Sequence, residues 1–326
     1  MPGNVFVTGG AGYIGSHACK ALARAGYTPV AYDNLSRGHR DLVRWGPLVE
    51  GDLADKLLLD EMLAHFQPVA AMHFAGYAYV DESVRDPALY FRNNTANSLT
   101  LFEALMRAGA PPVVFSSSCV TYGSPDKMPV EETTPQRPIN PYGESKVMVE
   151  RMLDWLNKAG KLRHVALRYF NAAGADPDGE IGPIHDPQTR LIPLVLDAIL
   201  GRAGPVSVFG TDYPTQDGTA VRDYIHVQDL AEAHVRALDY LLGGGASVAL
   251  NLGTGVGHSV RDVIGVAERV TGRAVPYREA PRRAGDPPVL VADARLAERV
   301  LQWQPRLPRL DDIVATAWAW ERKRPG

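Results

Sequence analysis

Tyr142 and Lys146 are the two residues of this chain whose types and spacing could move a proton together. They stand four apart in Pro-Tyr-Gly-Glu-Ser-Lys, and apolar residues follow at helical spacing, so a helix would place both side chains on one face. An ammonium beside a phenol lowers the pKa of the tyrosine, which could then take a proton from a hydroxyl group and return it. A solvent-exposed helix surface shows the same spacing, so the assignment depends on the rest of the chain.

A glycine-rich loop near the start of the chain is the second chemical feature. Gly9, Gly12 and Gly15 follow an apolar strand pattern at residues 4–8 and precede a helical pattern. Glycines between a strand and a helix let backbone amides approach a pyrophosphate, whose charge the helix N-terminus stabilises. Tight turns alone also use glycines, but the strand and the helix together predict nucleotide binding.

Acidic residues after the next two strands could bind the ribose and the base of that nucleotide. Asp33 ends a second strand about twenty residues past the loop, where a carboxylate accepts hydrogen bonds from both ribose hydroxyls. This favours NAD over NADP, although Arg37 could pair with a 2′-phosphate. Asp52, after a third strand, could meet the adenine amino group or form a simple turn, and the sequence leaves both open.

Further strand ends complete one edge of a predicted parallel sheet. The fourth strand ends in Ala75 and Gly76, and the fifth ends in three serines at residues 116–118, of which Ser118 is the candidate to contact a reacting hydroxyl. With a sixth strand at residues 164–169, the alternation predicts an α/β, doubly wound parallel sheet of the Rossmann type.

A change of composition after residue 174 predicts a second, smaller α/β domain at the C-terminal side. The predicted nucleotide-binding domain covers residues 1–174, with residues 225–252 returning to it, and the second domain covers residues 175–224 and 253–326. Two arginines in the second half, Arg222 and Arg283, offer the paired guanidinium groups that a diphosphate binds.

Composition restricts the classes of function. The chain has 326 residues, a formal net charge of −3 and no run of basic residues, so we expect no nucleic-acid partner and no membrane partner. Its two cysteines, Cys19 and Cys119, lie far apart, which favours a reducing cytoplasm. The histidines show no metal-ligand spacing, so we expect no metal, and His73 and His226 are interpreted as core residues.

Taken in order, these motifs resemble the UDP-glucose 4-epimerase family, extended members of the short-chain dehydrogenase/reductase superfamily. The resemblance runs from Val5 to about Trp303. Its landmarks are residues 7–17, 33–35, 73–76, 115–118, 142–146, 168–171, 217–226 and 282–286. It implies an NAD-dependent isomerase of galactose metabolism that oxidises a UDP-sugar at C4 to a 4-keto sugar and reduces it on the other face.

The resemblance also implies the role of each matching residue. Tyr142 would be the base, Lys146 would tune it and hold the nicotinamide ribose, and Ser118 would bond the sugar hydroxyl. The residues implied to bind tightly held NAD are Gly9, Gly12, Tyr13, Ile14, Gly15, Asp33, Asn34, Asp52, Leu53, Phe74, Ala75, Gly76, Asn93, Ser116, Tyr142, Lys146 and Tyr169. Those implied to bind the UDP-sugar are Ser118, Tyr142, Asn171, Leu191, Phe209, Arg222, Arg283 and Asp286.

Three positions depart from the family pattern. Ala78 stands where relatives often have a lysine for the cofactor phosphate, and Arg190 stands where many have an asparagine. Leu290 occupies the position that gates acetamido sugars, where better-known relatives have Tyr or Cys, so acceptance of N-acetylated sugars stays open.

Several alternatives remain. Related dehydratases and decarboxylases need an acid or base where this chain has Cys119 and Val120, which counts against both. Epimerases of UDP-N-acetylhexosamine, UDP-xylose, UDP-arabinose or UDP-glucuronate would use the same cycle at C4. A non-catalytic NAD-sensing protein would usually lack the Tyr or the Lys. Helices predicted at residues 87–108 and 142–158 could pair with a second copy, so a homodimer is expected.

Overall fold

The strands and helices are those of a computed structural model, which describes residues 3–185, 187–283 and 285–324. Ala284 of the last landmark and the outermost ends of the predicted domains (residues 1–2 and 325–326) lie outside the described residues.

The strands are β1 Asn4–Thr8, β2 Thr28–Asp33, β3 Leu48–Glu50, β4 Ala70–His73, β5 Val113–Ser118, β6 His164–Tyr169, β7 Asn171–Ala173, β8 Val206–Phe209, β9 Val221–His226, β10 Val248–Leu252, β11 Gly257–Ser259, β12 Tyr277–Ala280 and β13 Val289–Leu290. The α-helices are α1 Tyr13–Arg24, α2 Lys56–Phe66, α3 Val80–Arg85, α4 Pro87–Tyr90, α5 Asn97–Arg107, α6 Pro141–Lys158, α7 Leu191–Ile199, α8 Val227–Leu242, α9 Val260–Thr271, α10 Arg295–Leu301 and α11 Leu310–Glu321.

Seven parallel strands form the main sheet, in the order β10-β6-β5-β4-β1-β2-β3. Apolar runs such as residues 5–7 of β1 are fully buried, as expected for a sheet covered on both faces. α1 and α8 pack together on one face, and α2, α5 and α6 cover the other. The predicted doubly wound sheet is therefore confirmed, and all of its strands end at one edge.

Helix α6 carries the Tyr–Lys pair. Asn140 caps it by accepting a hydrogen bond from the Gly143 amide at 2.8 Å, and Pro141 occupies its first turn. Tyr142, Lys146 and Val149 are buried along one side of the helix. The buried side therefore turns the two titratable groups toward the sheet edge.

The predicted helix at residues 87–108 is present as one continuous helical stretch whose hydrogen-bond pattern changes along its length. A π-helix, Phe91–Ala96, separates α4 from α5. Within it, the Asn94 side chain accepts from the Tyr77 amide at 2.8 Å and donates to the Tyr77 carbonyl at 2.9 Å. A single inserted turn of this kind turns a side chain toward a functional site in many proteins, and here it directs Asn94 onto the loop after β4.

The remaining strands form smaller sheets in the C-terminal half. β9 pairs with β11, β13 and β7, and β8 pairs with β12. α7, α9 and α11 bury a separate apolar core against them. A capping box begins α9, because Ser259 accepts a hydrogen bond from the Asp262 amide and Asp262 accepts one from the Ser259 amide. The division into two domains at the predicted boundaries remains a prediction.

No helix within the described part of the chain has the length and the apolar character needed to cross a membrane.

Candidate active site

The glycine loop between β1 and α1 requires residues without a side chain. Gly9 has φ +72°, and a Cβ there would lie 2.6 Å from the Ala75 amide nitrogen. A Cβ on Gly15 would lie 2.1 Å from the Gly9 carbonyl oxygen. No side chain caps the N-terminus of α1 at Gly12, so the first amides of that helix face the same edge of the sheet. This cradle fits the pyrophosphate of a dinucleotide.

Asp33 lies beside that loop at the end of β2. Its carboxylate accepts from the Ala11 amide at 3.0 Å and from the Leu35 amide at 2.9 Å. Burial raises the pKa of Asp33, and these two backbone hydrogen bonds oppose the rise. The bonds orient the carboxylate next to the glycine loop, in the position that a ribose of NAD requires.

Asn34 and Asp52 meet at the neighbouring strand ends, with Asn34 Nδ2 donating to Asp52 Oδ2 at 2.6 Å. The other oxygen of Asp52 accepts from the Ala54 amide at 2.8 Å, which is a turn contact. Leu53, which lies between Asp52 and Ala54 in the sequence, is buried. Both interpretations of Asp52, adenine contact and turn, therefore stay predictions.

The loop after β4 brings Phe74, Ala75 and Gly76 close to Lys146. A Cβ added to Gly76 would lie 3.7 Å from Lys146 Nζ and 3.3 Å from Asn94 Oδ1. Asn93, which the sequence assigned to the cofactor, donates to Asn94 Oδ1 at 3.0 Å. Asn94 is the buried member of the pair, and the sequence signal for it was two asparagines inside an otherwise apolar helical pattern.

Tyr142 is buried at this edge and hydrogen-bonded to Ser118. The expectation that Lys146 lowers the pKa of this phenol is wrong for the protein alone. Burial raises the pKa of Tyr142, and the nearby phenol of Tyr169 raises it further, while the hydrogen bond to Ser118 and the charge of Arg190 oppose the rise. In the protein alone the neutral phenol is therefore favoured, and Ser118 and Arg190, rather than the ammonium, are the groups that oppose the rise.

The ammonium of Lys146 instead faces the strand beneath it. Nζ donates to the Ser116 carbonyl at 2.8 Å and lies 4.9 Å above the centre of the Phe115 ring. Burial lowers the pKa of Lys146 to about 8, and the charge of Glu150 opposes this. Ser116 Oγ lies 2.7 Å from the phenol oxygen of Tyr169, so three residues assigned to the cofactor are brought together here.

A buried network beneath α6 was missed from the sequence. Arg168 Nε lies 3.1 Å from both carboxylate oxygens of Glu150, which also accepts from Ser117 and Gln136. Arg168 Nη1 donates to the Tyr122 phenol at 2.9 Å. Because Glu150 is one helical turn from Lys146, this network fixes the register of α6 on the sheet.

Four of the residues assigned to the UDP-sugar lie in the C-terminal half, with Phe209 on β8, Arg222 on β9, and Arg283 and Asp286 in the loop before β13. Arg222 Nη2 donates to Asp286 Oδ1 at 2.5 Å. The guanidinium of Arg283 lies 4.3 Å from the centre of the Phe209 ring. Burial raises the pKa of Cys119, at the end of β5, to about 12, and the charge of Arg222 opposes this rise.

Asn171 and Leu191 flank the same region. Asn171 donates to the Asp223 carbonyl at 3.2 Å, and Leu191 begins α7. Asp223, which the sequence did not single out, accepts from the amides of Thr254, Gly255 and Ala292 at 2.9, 3.0 and 3.2 Å. It therefore joins three chain segments behind the substrate residues.

The three departures have distinct positions. Ala78 is exposed in the loop after β4. The guanidinium of Arg190 lies 5.3 Å from the centre of the Tyr13 ring, and the Tyr13 phenol donates to the Gly174 carbonyl at 2.7 Å. Leu290 is buried in a cluster with Cys119 and Phe170, next to the end of β5.

His73 and His226 are core residues, as predicted. His73 lies 2.7 Å from both Thr8 Oγ1 and Ser98 Oγ, and burial lowers its pKa to about 3. His226 is buried and caps α8 by accepting from the Gln228 amide.

An acidic cluster that the sequence analysis missed lies away from this edge. Asp176, Asp178 and Glu180 bring carboxylate oxygens within 4.8 Å of one another, and Lys20 Nζ lies among them at 2.6, 2.8 and 2.5 Å. The expectation of no metal stays a prediction.

Comparison with known proteins places the whole chain among one group of enzymes. Residues 5–253 match the model of the NAD dependent epimerase/dehydratase family. A UDP-glucose 4-epimerase of Rhizobium leguminosarum bv. trifolii is 54% identical over 319 residues, which cover 98% of this chain and 97% of that protein.

Solved structures agree with this chain in fold as well as in sequence. UDP-glucose 4-epimerase from Brucella ovis in complex with NAD is 52% identical, with a TM-score of 0.95 and 97% of each chain covered. The enzyme from Bifidobacterium longum in complex with NAD⁺ and UDP is 37% identical, with a TM-score of 0.93 and 99% of each chain covered.

Proposed function

This chain belongs to the NAD-dependent epimerase/dehydratase family, and on that premise we propose that it inverts C4 of a UDP-sugar, interconverting UDP-glucose and UDP-galactose. The chain is accordingly an isomerase with NAD as its cofactor. The observation that carries the proposal is the near-complete overlap with UDP-glucose 4-epimerases, one of them holding NAD and UDP. Tyr142, Lys146 and Ser118 support it, because they meet at the sheet edge beside the glycine loop.

We propose that Tyr142 and Ser118 handle the proton of the 4-hydroxyl group. When bound, NAD would supply the acceptor for a hydride from C4 and the donor that returns it. The phenolate form of Tyr142 takes the hydroxyl proton, and the resulting phenol gives it back, while Ser118 forms a hydrogen bond with the sugar hydroxyl oxygen. Lys146, held on the Ser116 carbonyl, lies near Gly76 and so faces the loop past which the dinucleotide would run.

The proposed diphosphate contacts come from the C-terminal half. Arg222 and Arg283 each present a guanidinium group, and Asp286 and Phe209 hold them in place through an ion pair and a stacked ring. Asn171 and the start of α7 at Leu191 border the same space. These contacts would grip the diphosphate and leave the sugar to rotate between hydride removal and return.

The experiment is an assay of the purified protein with UDP-galactose and no added NAD. We expect UDP-glucose to appear, because tightly held NAD is regenerated in each cycle. A panel of UDP-pentoses, UDP-glucuronate and UDP-N-acetylhexosamines then tests which sugars are accepted. Leu290 is the residue proposed to limit the size of the sugar. If the protein converts only a different UDP-sugar, that sugar replaces UDP-galactose as the proposed substrate. If it converts none of the UDP-sugars, the proposed epimerase activity is refuted.

We also propose a homodimer that acts in cytoplasmic galactose metabolism. Leu99 on α5 and Trp155 on α6 are 39% and 70% exposed, and α5 and α6 contact each other, so both helices present a large apolar side chain to solvent. Free, buried Cys19 and Cys119 suit a reducing compartment. Light scattering should give a dimer that Trp155→Glu converts to monomer, while Leu57→Glu, at an 83% exposed site on α2, should stay dimeric.

A further inference from the structure

An ion pair joins two loops that leave the sheet on opposite sides of the glycine loop. Arg37 follows β2, and Glu82 follows β4, in the first turn of α3. Arg37 Nη2 donates to Glu82 Oε1 at 2.6 Å. Since β1 lies between β4 and β2 in the sheet, this contact spans the strand end from which the glycine loop starts.

Tyrosine side chains contact both partners of the Arg37–Glu82 ion pair. The guanidinium of Arg37 lies 5.4 Å from the ring centres of Tyr77 and of Tyr79. The second carboxylate oxygen of Glu82 lies 2.9 Å from the phenol oxygen of Tyr90. The side chains of Arg37 and Glu82 are 40% and 22% exposed, so solvent screens the pair only in part.

Tyr90 connects this contact to the candidate catalytic residue. Its phenol accepts from the Tyr79 amide at 2.9 Å and lies 2.7 Å from the Tyr79 carbonyl. Tyr90 is fully buried, and its ring packs edge-on against that of Tyr142, with 6.2 Å between ring centres. The Arg37–Glu82 ion pair is therefore connected, through Tyr90, to a buried residue of α6.

We propose that Arg37 and Glu82, backed by Tyr90, form a clasp across the glycine loop that slows release of the dinucleotide. The inference rests on the proposed function only in placing NAD at that loop. A cofactor whose pyrophosphate lies against Gly9–Gly15 must separate the loops after β2 and β4 to leave, and the ion pair joins those loops. The clasp retains NAD by a contact within the protein, without Arg37 touching the phosphate.

The experiment measures NAD release from the purified holoenzyme, by timed desalting and enzymatic determination of the NAD that stays bound. Arg37→Gln and Glu82→Gln should each speed release about three- to tenfold, as expected for loss of a partly buried ion pair. The double variant should be no faster than either single variant, because both remove one interaction. High salt should speed release from the wild type and leave the double variant nearly unchanged.

Arg40→Gln is the matched control. Arg40 lies in the same loop and pairs with Glu50 at the end of β3, on the side of β2 that faces away from β1. Release from Arg40→Gln should equal that of the wild type. Equal release from Arg37→Gln and Arg40→Gln would overturn the clasp, as would fast release from Arg37→Gln with unchanged release from Glu82→Gln, which would make Arg37 a direct ligand. Either failure leaves the epimerase assay unaffected, so the two proposals fail independently.

Discussion

The sheet edge assigned to NAD and the C-terminal region assigned to the UDP-sugar hold their charged side chains in different ways. At the sheet edge, Asp33 and Lys146 are buried and bonded to backbone amides or carbonyls. In the C-terminal half, Arg222 on β9 and Asp286 in the loop before β13 are partly exposed and form an ion pair with each other. The first set is fixed by the fold, while the second forms an ion pair that the proposed diphosphate contact would replace.

This difference matches what the reaction requires of each ligand. NAD returns to its starting state in every cycle, so a rigid, buried site loses nothing by holding it. The UDP-sugar must enter and leave, so its charged contacts have to form and break at a solvent-accessible surface. The two regions should therefore respond differently to substitution, and the largest difference is expected where they meet.

Tyr142→Phe tests the meeting point of the two regions. Removing the phenol oxygen deletes the group that takes the hydroxyl proton, so kcat should fall about 10²- to 10⁴-fold. UDP binding and NAD content should stay near those of the wild type, because the ring still fills its buried site. Tyr240→Phe, near the C-terminal end of α8, is the control and should retain full turnover. Turnover within about twofold of the wild type in Tyr142→Phe would contradict the assignment.

Gly15→Ala tests the rigidity of the NAD region. The added methyl would lie 2.1 Å from the Gly9 carbonyl oxygen, so the backbone must shift. We expect loss of bound NAD and a decrease of about 2 kcal/mol or more in the free energy of unfolding, measured in urea.

Gly265→Ala is the matched helix substitution in the C-terminal half. Nothing lies within 4 Å of a Cβ at Gly265, within α9. It should keep NAD and gain about 0.5–1 kcal/mol in the free energy of unfolding. Equal effects at the two glycines would contradict the close packing inferred for the loop.

Local patterns predicted the parts of the molecule that are local. The β1–loop–α1 unit and the Tyr–Lys helix each depend on residues that are close together along the chain. The doubly wound sheet followed from strand and helix alternation, because parallel strands need crossovers. These features were confirmed by the structure.

Features that depend on distant chain segments were not predicted. The Glu150–Arg168 network joins α6 to β6, and Asp223 binds amides up to 69 residues away. The predicted direction of the pKa shift of Tyr142 was wrong, because burial raises this pKa. Burial depends on tertiary packing, which residue spacing along a helix does not encode. Asn94 was passed over because the π-helix that turns it inward has no clear sequence signature.

Arg283→Gln tests the proposed exchangeable contacts of the C-terminal region, at the loop between β12 and β13. Loss of a charged hydrogen-bond donor to the diphosphate should raise the Kd for UDP about 10- to 100-fold, measured by calorimetry, while NAD content stays unchanged. Arg282→Gln is the neighbouring control, since Arg282 pairs with exposed Asp212 and stacks on Tyr213 instead. Equal losses in both variants would mean that the loop as a whole, rather than the Arg283 guanidinium, binds UDP.

Acid should weaken the NAD region through its buried histidines. Burial lowers the pKa of His234 to about 4, and its Nε2 has no hydrogen-bond partner among the described residues. In the unfolded chain His234 binds a proton below its ordinary pKa of 6.5, whereas the folded protein keeps it neutral down to about pH 4. The free energy of unfolding should therefore fall as pH drops from about 6.5 to about 4.

His234→Leu isolates that contribution. It removes the proton-binding group and keeps an apolar side chain of similar size against Phe74, whose ring centre lies 4.7 Å from that of His234. Between pH 7.5 and pH 5 the variant should lose about 2 kcal/mol less of its free energy of unfolding than the wild type, measured by urea denaturation. NAD should also stay bound to a lower pH in the variant, because His234 lies against the sheet that holds it. An identical pH dependence in both proteins would show that His234 does not take up a proton on unfolding.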